Sequence, residues 1–148
     1  MPISYTVLDS GTLLATVQIE AYTPQARGLV KSLTAHEIQI AAPTLLYYEL
    51  VAVARKWVYR KLAMPEQAQV ALDTILRYPV ELHFDEALVR RAYALASELD
   101  QPTAYDAQYL ALAERLSCDF WTADERLFNA VQNDFPAAHW LGQWQTED

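Results

Sequence analysis

The strongest constraint on this chain is a regular alternation of short β-prone apolar runs with longer stretches of helical periodicity. Tyr5-Thr6-Val7-Leu8 is the first run; it stops at Asp9, and Gly11 predicts a turn just beyond. Ile38–Ala42, stopped by Pro43, is the second, and Val80–Phe84 the third. Phe120-Trp121-Thr122 forms a fourth ahead of Asp124, and His139-Trp140-Leu141 a fifth. Helical segments separate them. Thr23-Pro24 predicts a helix to about Leu33, with Thr as cap and Pro at the first helical position. Thr44 opens a long one to about Leu62, and Met64-Pro65-Glu66 another to Arg77, ended by Pro79. The segment from about Asp85 to Leu99 places Leu88, Ala92, Leu95, Ala96 and Leu99 on one face. Further helices run from Thr103 to about Leu116 and from Asp124 to about Val131. This order predicts an α/β domain whose parallel sheet is covered on both faces. Ligands of such sheets gather beyond the carboxyl ends of the strands, where Asp9 and Asp124 fall.

With 148 residues, one domain spanning 1–148 is expected, and a 53% hydrophobic composition leaves no case for disorder. No apolar stretch reaches the roughly 18 residues of a membrane span. The first basic residue is Arg27, which leaves no positively charged start for a secretory signal, and Cys118 has no second cysteine to pair with. A cytoplasmic location is the expectation. The charge sets a further condition: 19 acidic against 11 basic side chains give a net charge of −8. A surface of that sign repels a polyanion unless a divalent cation stands between them.

Four carboxylates stand apart. Asp124 could cap the helix that follows it, Asp9 could make an Asx-turn ahead of Ser10-Gly11, and Asp106 could complete a capping box with Thr103. Each reading competes with a functional one. Glu49 is the only charge in Leu45–Ala54, with Leu45, Leu46, Ala52 and Val53 as its helical neighbours. A carboxylate turned toward apolar surroundings needs a cation, supplied either by a salt bridge or by a metal such as Mg²⁺ or Mn²⁺ that favours hard oxygen ligands. Arg55, Lys56, Arg60 and Lys61 concentrate four of the eleven cations in seven residues. At about 100° per residue, Lys56 and Arg60 return to within roughly 20° of Glu49's direction, as a phosphate-binding stripe would. The alternative is that these cations complement a helix dipole. The three histidines show no metal spacing, and with three glycines there is no phosphate-cradling loop. The tryptophans and tyrosines suit core and interface anchoring.

Val7-Leu8-Asp9-Ser10, Tyr48-Glu49-Leu50, Ala104-Tyr105-Asp106-Ala107 and Trp121-Thr122-Ala123-Asp124-Glu125-Arg126-Leu127 together resemble PIN-domain ribonucleases. The likeness is strongest to the VapC-type toxins of prokaryotic toxin–antitoxin pairs, and it runs from Tyr5 to about Leu141. It implies a three-layer α/β/α sandwich with a central five-stranded parallel sheet. It also implies a pocket in which Asp9, Glu49, Asp106 and Asp124 hold Mg²⁺ or Mn²⁺ for RNA hydrolysis, with Ser10 and Thr122 as supporting polar positions. Glu49 is then either a ligand or the group that orients the attacking water. Gly11 departs from the pattern, standing where the family often has Ser or Asn; the supporting hydrogen bond is then either missing or supplied by Ser10 or Thr12. The implied partners are an RNA substrate, a small antitoxin that covers the pocket and a second copy of the chain, and the aromatic surface near Tyr47, Tyr48 and Trp57 is expected at an interface. Two other readings compete. A phosphatase or receiver domain would need paired acids after the first strand, and Asp9-Ser10-Gly11 lacks the second. A catalytically inactive PIN-fold binding module stays open because of Gly11.

Overall fold

The computed structural model describes residues 2–18 and 20–146. Its strands are β1 (Tyr5–Leu8), β2 (Gln39–Pro43), β3 (Val80–His83), β4 (Asp119–Thr122) and β5 (Ala138–Trp140). The helices are α1 (Ser10–Leu14), α2 (Thr23–Ala35), α3 (Leu45–Tyr59), α4 (Pro65–Leu76), α5 (Glu86–Glu98), α6 (Tyr105–Leu116) and α7 (Glu125–Val131), and a 3-10 turn (Leu141–Gln143) follows β5. All strand pairings are parallel, in the order β3-β2-β1-β4-β5. The order builds outward from β1 to β3, then reverses and places β4 on the other side of β1. Val7 pairs with Ala41 on one side and Phe120 on the other, so β1 is the central strand.

A central parallel strand covered by helices on both faces has no solvent side, which is why β1 reads as an unbroken apolar run instead of an alternation. Val7 and Leu8 are both fully buried. The predicted stripe of α5 is likewise inside: Leu88, Ala92, Leu95, Ala96 and Leu99 all face the core. Helix α6 lies across β1, β2 and β4 and buries Ala107, Tyr109, Leu110, Ala111, Leu112 and Ala113. The Leu-Ala composition of this helix lets its backbone approach the sheet closely.

Helix endings use little glycine. Glu37, Lys61, Asp100 and Ser117 take positive φ just past four helices. Each is followed by an amide that bonds five residues back: Ile38 to Leu33 (2.9 Å), Leu62 to Trp57 (2.8 Å), Gln101 to Ala96 (2.8 Å) and Cys118 to Ala113 (3.1 Å). These are Schellman closures, in which the left-handed residue costs about 1 kcal/mol and the paired carbonyls offset it.

The structure amends several sequence expectations. The predicted turn at Gly11 is a helix: Ser10–Leu14 forms α1, and Asp9 caps it by accepting the Thr12 amide at 2.9 Å. No capping box forms between Thr103 and Asp106, because α6 starts at Tyr105 behind Ala104, which has no capping side chain. Thr23 is the first residue of α2 and not its cap; its hydroxyl closes the preceding loop by accepting from the Glu20 amide and donating to the Gln18 carbonyl. Helix α3 ends at Tyr59, short of Leu62, where Lys61 turns the chain out of the helix. Among the described residues, no helix is long and apolar enough to cross a membrane.

Candidate active site

The reversal in strand order opens a crevice at the carboxyl ends of β1 and β4, the position at which ligands enter open α/β sheets. Asp9 directly follows β1, and Asp124 follows β4 after Thr122 and Ala123. Glu49 comes from the second turn of α3, and Asp106 from the first turn of α6. The topology thus delivers four carboxylates from four separate segments to one end of the sheet.

Capping holds two of them in place. Asp9 Oδ1 accepts the Thr12 amide, and Asp124 Oδ1 accepts the Leu127 amide at 3.1 Å. The capping and catalytic readings of these residues are therefore compatible, since a carboxylate has an oxygen for each. Thr122 links the pair, accepting the Asp124 amide at 3.0 Å with the same hydroxyl that interacts with Asp9. Thr12, whose hydroxyl donates to the Trp121 carbonyl at 3.3 Å, ties α1 to β4 beneath them. Gly11 leaves room here: a Cβ would stand 3.4 Å from that of Ala123 and 3.7 Å from Asp9 Oδ1, both ordinary contacts. The absence of Ser or Asn at this position is therefore no sign of a collapsed site.

The charges interact. Asp9 is buried, and loss of solvent raises its pKa against the opposing effect of bonds from Thr122, Thr12 and Ala123. Burial likewise raises Glu49, helped by the charge of Asp9 and opposed by hydrogen bonds from Tyr109 and Ser10. Asp106 is pushed up to about 6, first by desolvation and then by Asp9, Asp124 and Glu49 in turn. All four carboxylates therefore share one field. Asp106 and Asp124 also line a cleft of roughly 390 Å³ with Gln101, Pro102, Thr103, Arg126, Leu127 and Ala130.

The Thr122 hydroxyl interacts with Asp9 and that of Ser10 with Glu49. Lys56 and Arg60 do not line the cleft; both are exposed, and Lys56 lies about 10 Å along α3 from Glu49. Thr12, one of the two residues expected to make up for Gly11, bonds to Asp9 and to β4, whereas Tyr109 and Arg126 go unread in the sequence. Tyr109 donates to Glu49 Oε1 at 2.5 Å, and the exposed Arg126 lines the same cleft as Asp106 and Asp124. Tyr109 had a signal, since it lies three residues after Asp106 on the same helix. Of the aromatic residues expected at an interface, Tyr47 and Tyr48 are exposed and Trp57 is half-buried against the core.

Oxygen donors alone, with no histidine or thiolate among them, suit Mg²⁺ or Mn²⁺ better than zinc. Among the described residues, no three acidic, histidine or cysteine side chains converge into a ready-made metal cage. The donor chemistry and the shared repulsion fit a divalent ion whose remaining ligands are water, as Mg²⁺ prefers.

Residues 6–133 match the family model described as PIN domain. The chain is 31% identical over 130 residues to the VapC ribonuclease Mb0985 of Mycobacterium bovis and to ribonuclease VapC9 of Mycobacterium tuberculosis, covering 88% of this chain and 94% of each relative. Among solved structures, PAE2754 from Pyrobaculum aerophilum superposes with a TM-score of 0.64 at 21% identity, covering 96% of this chain and 93% of that one. FitAB bound to an IR36 DNA fragment gives 0.60 at 17% identity, covering 97% and 98%. VapBC-1 from nontypeable Haemophilus influenzae gives 0.58 at 15% identity, covering 92% and 96%. The strand order, the carboxylates at its reversal and a family match across most of the length agree, and the chain belongs to the PIN-domain family.

Proposed function

We propose that this chain is a divalent-metal-dependent endoribonuclease, hydrolysing RNA phosphodiester bonds as the toxin of a prokaryotic toxin–antitoxin pair. The observation that carries this reading is the electrostatic convergence of Asp9, Glu49 and Asp124 on Asp106 at the strand-order reversal. Four carboxylates held together at a cost in repulsion have a physical rationale when a cation neutralises them. Relatives named VapC ribonuclease support the substrate class, and VapBC and FitAB among the structural neighbours support a protein partner.

Asp9, Asp106 and Asp124 would hold Mg²⁺ or Mn²⁺, and when bound the ion supplies Lewis-acid activation of water and neutralises charge on the scissile phosphodiester. Glu49 orients the attacking water or adds a ligand. Thr122 keeps Asp9 and Asp124 in register, and Ser10 steadies Glu49. Arg126 offers the cleft a phosphate contact. Lys56 and Arg60 extend a cationic path along α3, which an RNA strand follows after leaving the pocket. Residues 1–148 act as one unit in the cytoplasm, where RNA and a cognate antitoxin meet it. A homodimer uses the exposed aromatic face of α3 around Tyr47 and Tyr48.

A second reading is an inactive PIN-fold module acting through protein or RNA partners, motivated by Gly11 standing where the family often has Ser or Asn. Cleavage of a labelled single-stranded RNA in Mn²⁺ or Mg²⁺, with chelator and Asp106→Asn controls, decides between them. Cutting that needs the metal and is lost in the variant supports the nuclease. Absence of both Mn²⁺ binding and cutting supports the binding module.

A further inference from the structure

Tyr109 is the largest of the fully buried side chains, 1% exposed in the middle of α6. Its ring stacks on Phe120 of β4, with centroids 6.2 Å apart and planes inclined by 30°. Packing against the sheet therefore sets where its hydroxyl can reach. That hydroxyl donates to Glu49 Oε1 at 2.5 Å, joining α6 to α3 across 60 residues of sequence. Ser10, at the start of α1, places its own hydroxyl against both Glu49 and Tyr109. Three helices thus meet at one carboxylate.

A glutamate side chain has three rotatable bonds and, left alone at a half-open site, samples several rotamers. Glu49 is instead tethered by a donor that is itself immobile. A buried tyrosine hydroxyl requires some acceptor, and a backbone carbonyl would satisfy that need equally well. Here the acceptor is one of the four pocket carboxylates. The bond fixes the plane of the Glu49 carboxylate, whose remaining lone pairs stay free to face the pocket.

We infer that Tyr109 is a positioning residue that fixes the orientation of the Glu49 carboxylate toward the metal pocket by donating to Oε1. Ser10 assists from the opposite helix. This inference rests on the divalent-metal reading above, and its test separates the two.

Mn²⁺ affinity is measured by titration calorimetry on the full chain for the parent, Tyr109→Phe, Glu49→Ala and the double variant, with thermal unfolding recorded for each. Tyr109→Phe keeps the ring and its stacking while removing only the donor. Loss of a hydrogen bond that orients a metal-binding side chain weakens affinity by about 10-fold or more. Tyr109→Phe is expected to show that loss, and the double variant to bind no more weakly than Glu49→Ala alone. Such non-additivity is the signature of action through Glu49, and a merely structural tyrosine would not produce it. Unchanged affinity in Tyr109→Phe, or a loss that persists in full on the Glu49→Ala background, overturns the inference. If Tyr109→Phe does not fold, Ser10→Ala takes its place in the cycle with the same two criteria. A parent that binds no Mn²⁺ overturns the inference and the metal reading together. A parent that binds, is weakened by Asp106→Asn and is indifferent to Tyr109→Phe overturns the positioning alone.

Discussion

In protein kept free of divalent ions by chelator, Asp106→Asn should fold more stably than the parent above pH 7. The Asp106 carboxyl has an ordinary pKa of 3.8 and titrates at about 6 in the folded chain. Between those values the folded protein binds more protons than the unfolded one, so stability falls as pH rises from about 4 to 6.5 and stays reduced above that range. At about 1.4 kcal/mol for each tenfold, the difference corresponds to roughly 3 kcal/mol. Asp106 keeps one side open to water, and screening reduces this to about 1–2 kcal/mol. Asparagine also forfeits the favourable placement of an acid in the first turn of α6, worth about 0.5 kcal/mol. The net gain is then about 1 kcal/mol, or about 2–4 °C in Tm for a chain of this size.

The amide is close in shape to the carboxylate, and no hydrogen bond of Asp106 ties it to a particular partner among the described residues, so little else changes. Urea unfolding followed by circular dichroism at pH 7.5 and at pH 4 reads the effect. The two proteins should differ at the higher pH and nearly coincide at the lower. Added Mn²⁺ should then reverse the order, because the parent binds it more tightly and gains stability by mass action. An asparagine variant no more stable at pH 7.5, or one equally stabilised at both pH values, would refute the idea that charge repulsion is stored at this site.

Two further outcomes follow from the geometry. Asp124→Ala should lose both the α7 cap, about 1 kcal/mol in urea unfolding, and RNA cleavage, whereas Asp124→Ser should recover the cap without the cleavage; activity in the serine variant would deny the carboxylate its role. Replacing Tyr47 and Tyr48, which are 37% and 73% exposed, by serine should shift sedimentation from dimer to monomer while leaving Tm within a few degrees, and an unaltered dimer would place the interface elsewhere.

Much of the site was legible because its residues interrupt local patterns. Asp9 and Asp124 each end an apolar run, Glu49 is a lone charge in an apolar helix and Asp106 opens another, but local pattern left capping and functional readings of the aspartates open, and the family resemblance gathered the four. Helix α1 escaped notice because Ser10-Gly11-Thr12 reads as a turn, and only the cap from Asp9 and the Thr12 bond to β4 make one helical turn worthwhile there. The Thr103 capping box was a reasonable local pattern that the packing of α6 overrode by starting the helix two residues later. Lys56 and Arg60 share a helix face with Glu49, yet sharing a face does not bring them beside it, since the axial rise carries them along α3 away from the carboxylate.

By itself, the sequence determined the five strands and every helix but α1, which of their faces are apolar, and that acids stand at the ends of β1 and β4. Those properties depend on the few residues around each position, and burial imprints them as local periodicity. Tertiary structure alone decided that β4 lies beside β1, which sets Asp124 next to Asp9 and makes Thr122 the link between them. It alone gave Glu49 the Tyr109 hydroxyl, a partner 60 residues away. Contacts of that span arise from how whole layers stack on one another, and no window of neighbouring residues records them.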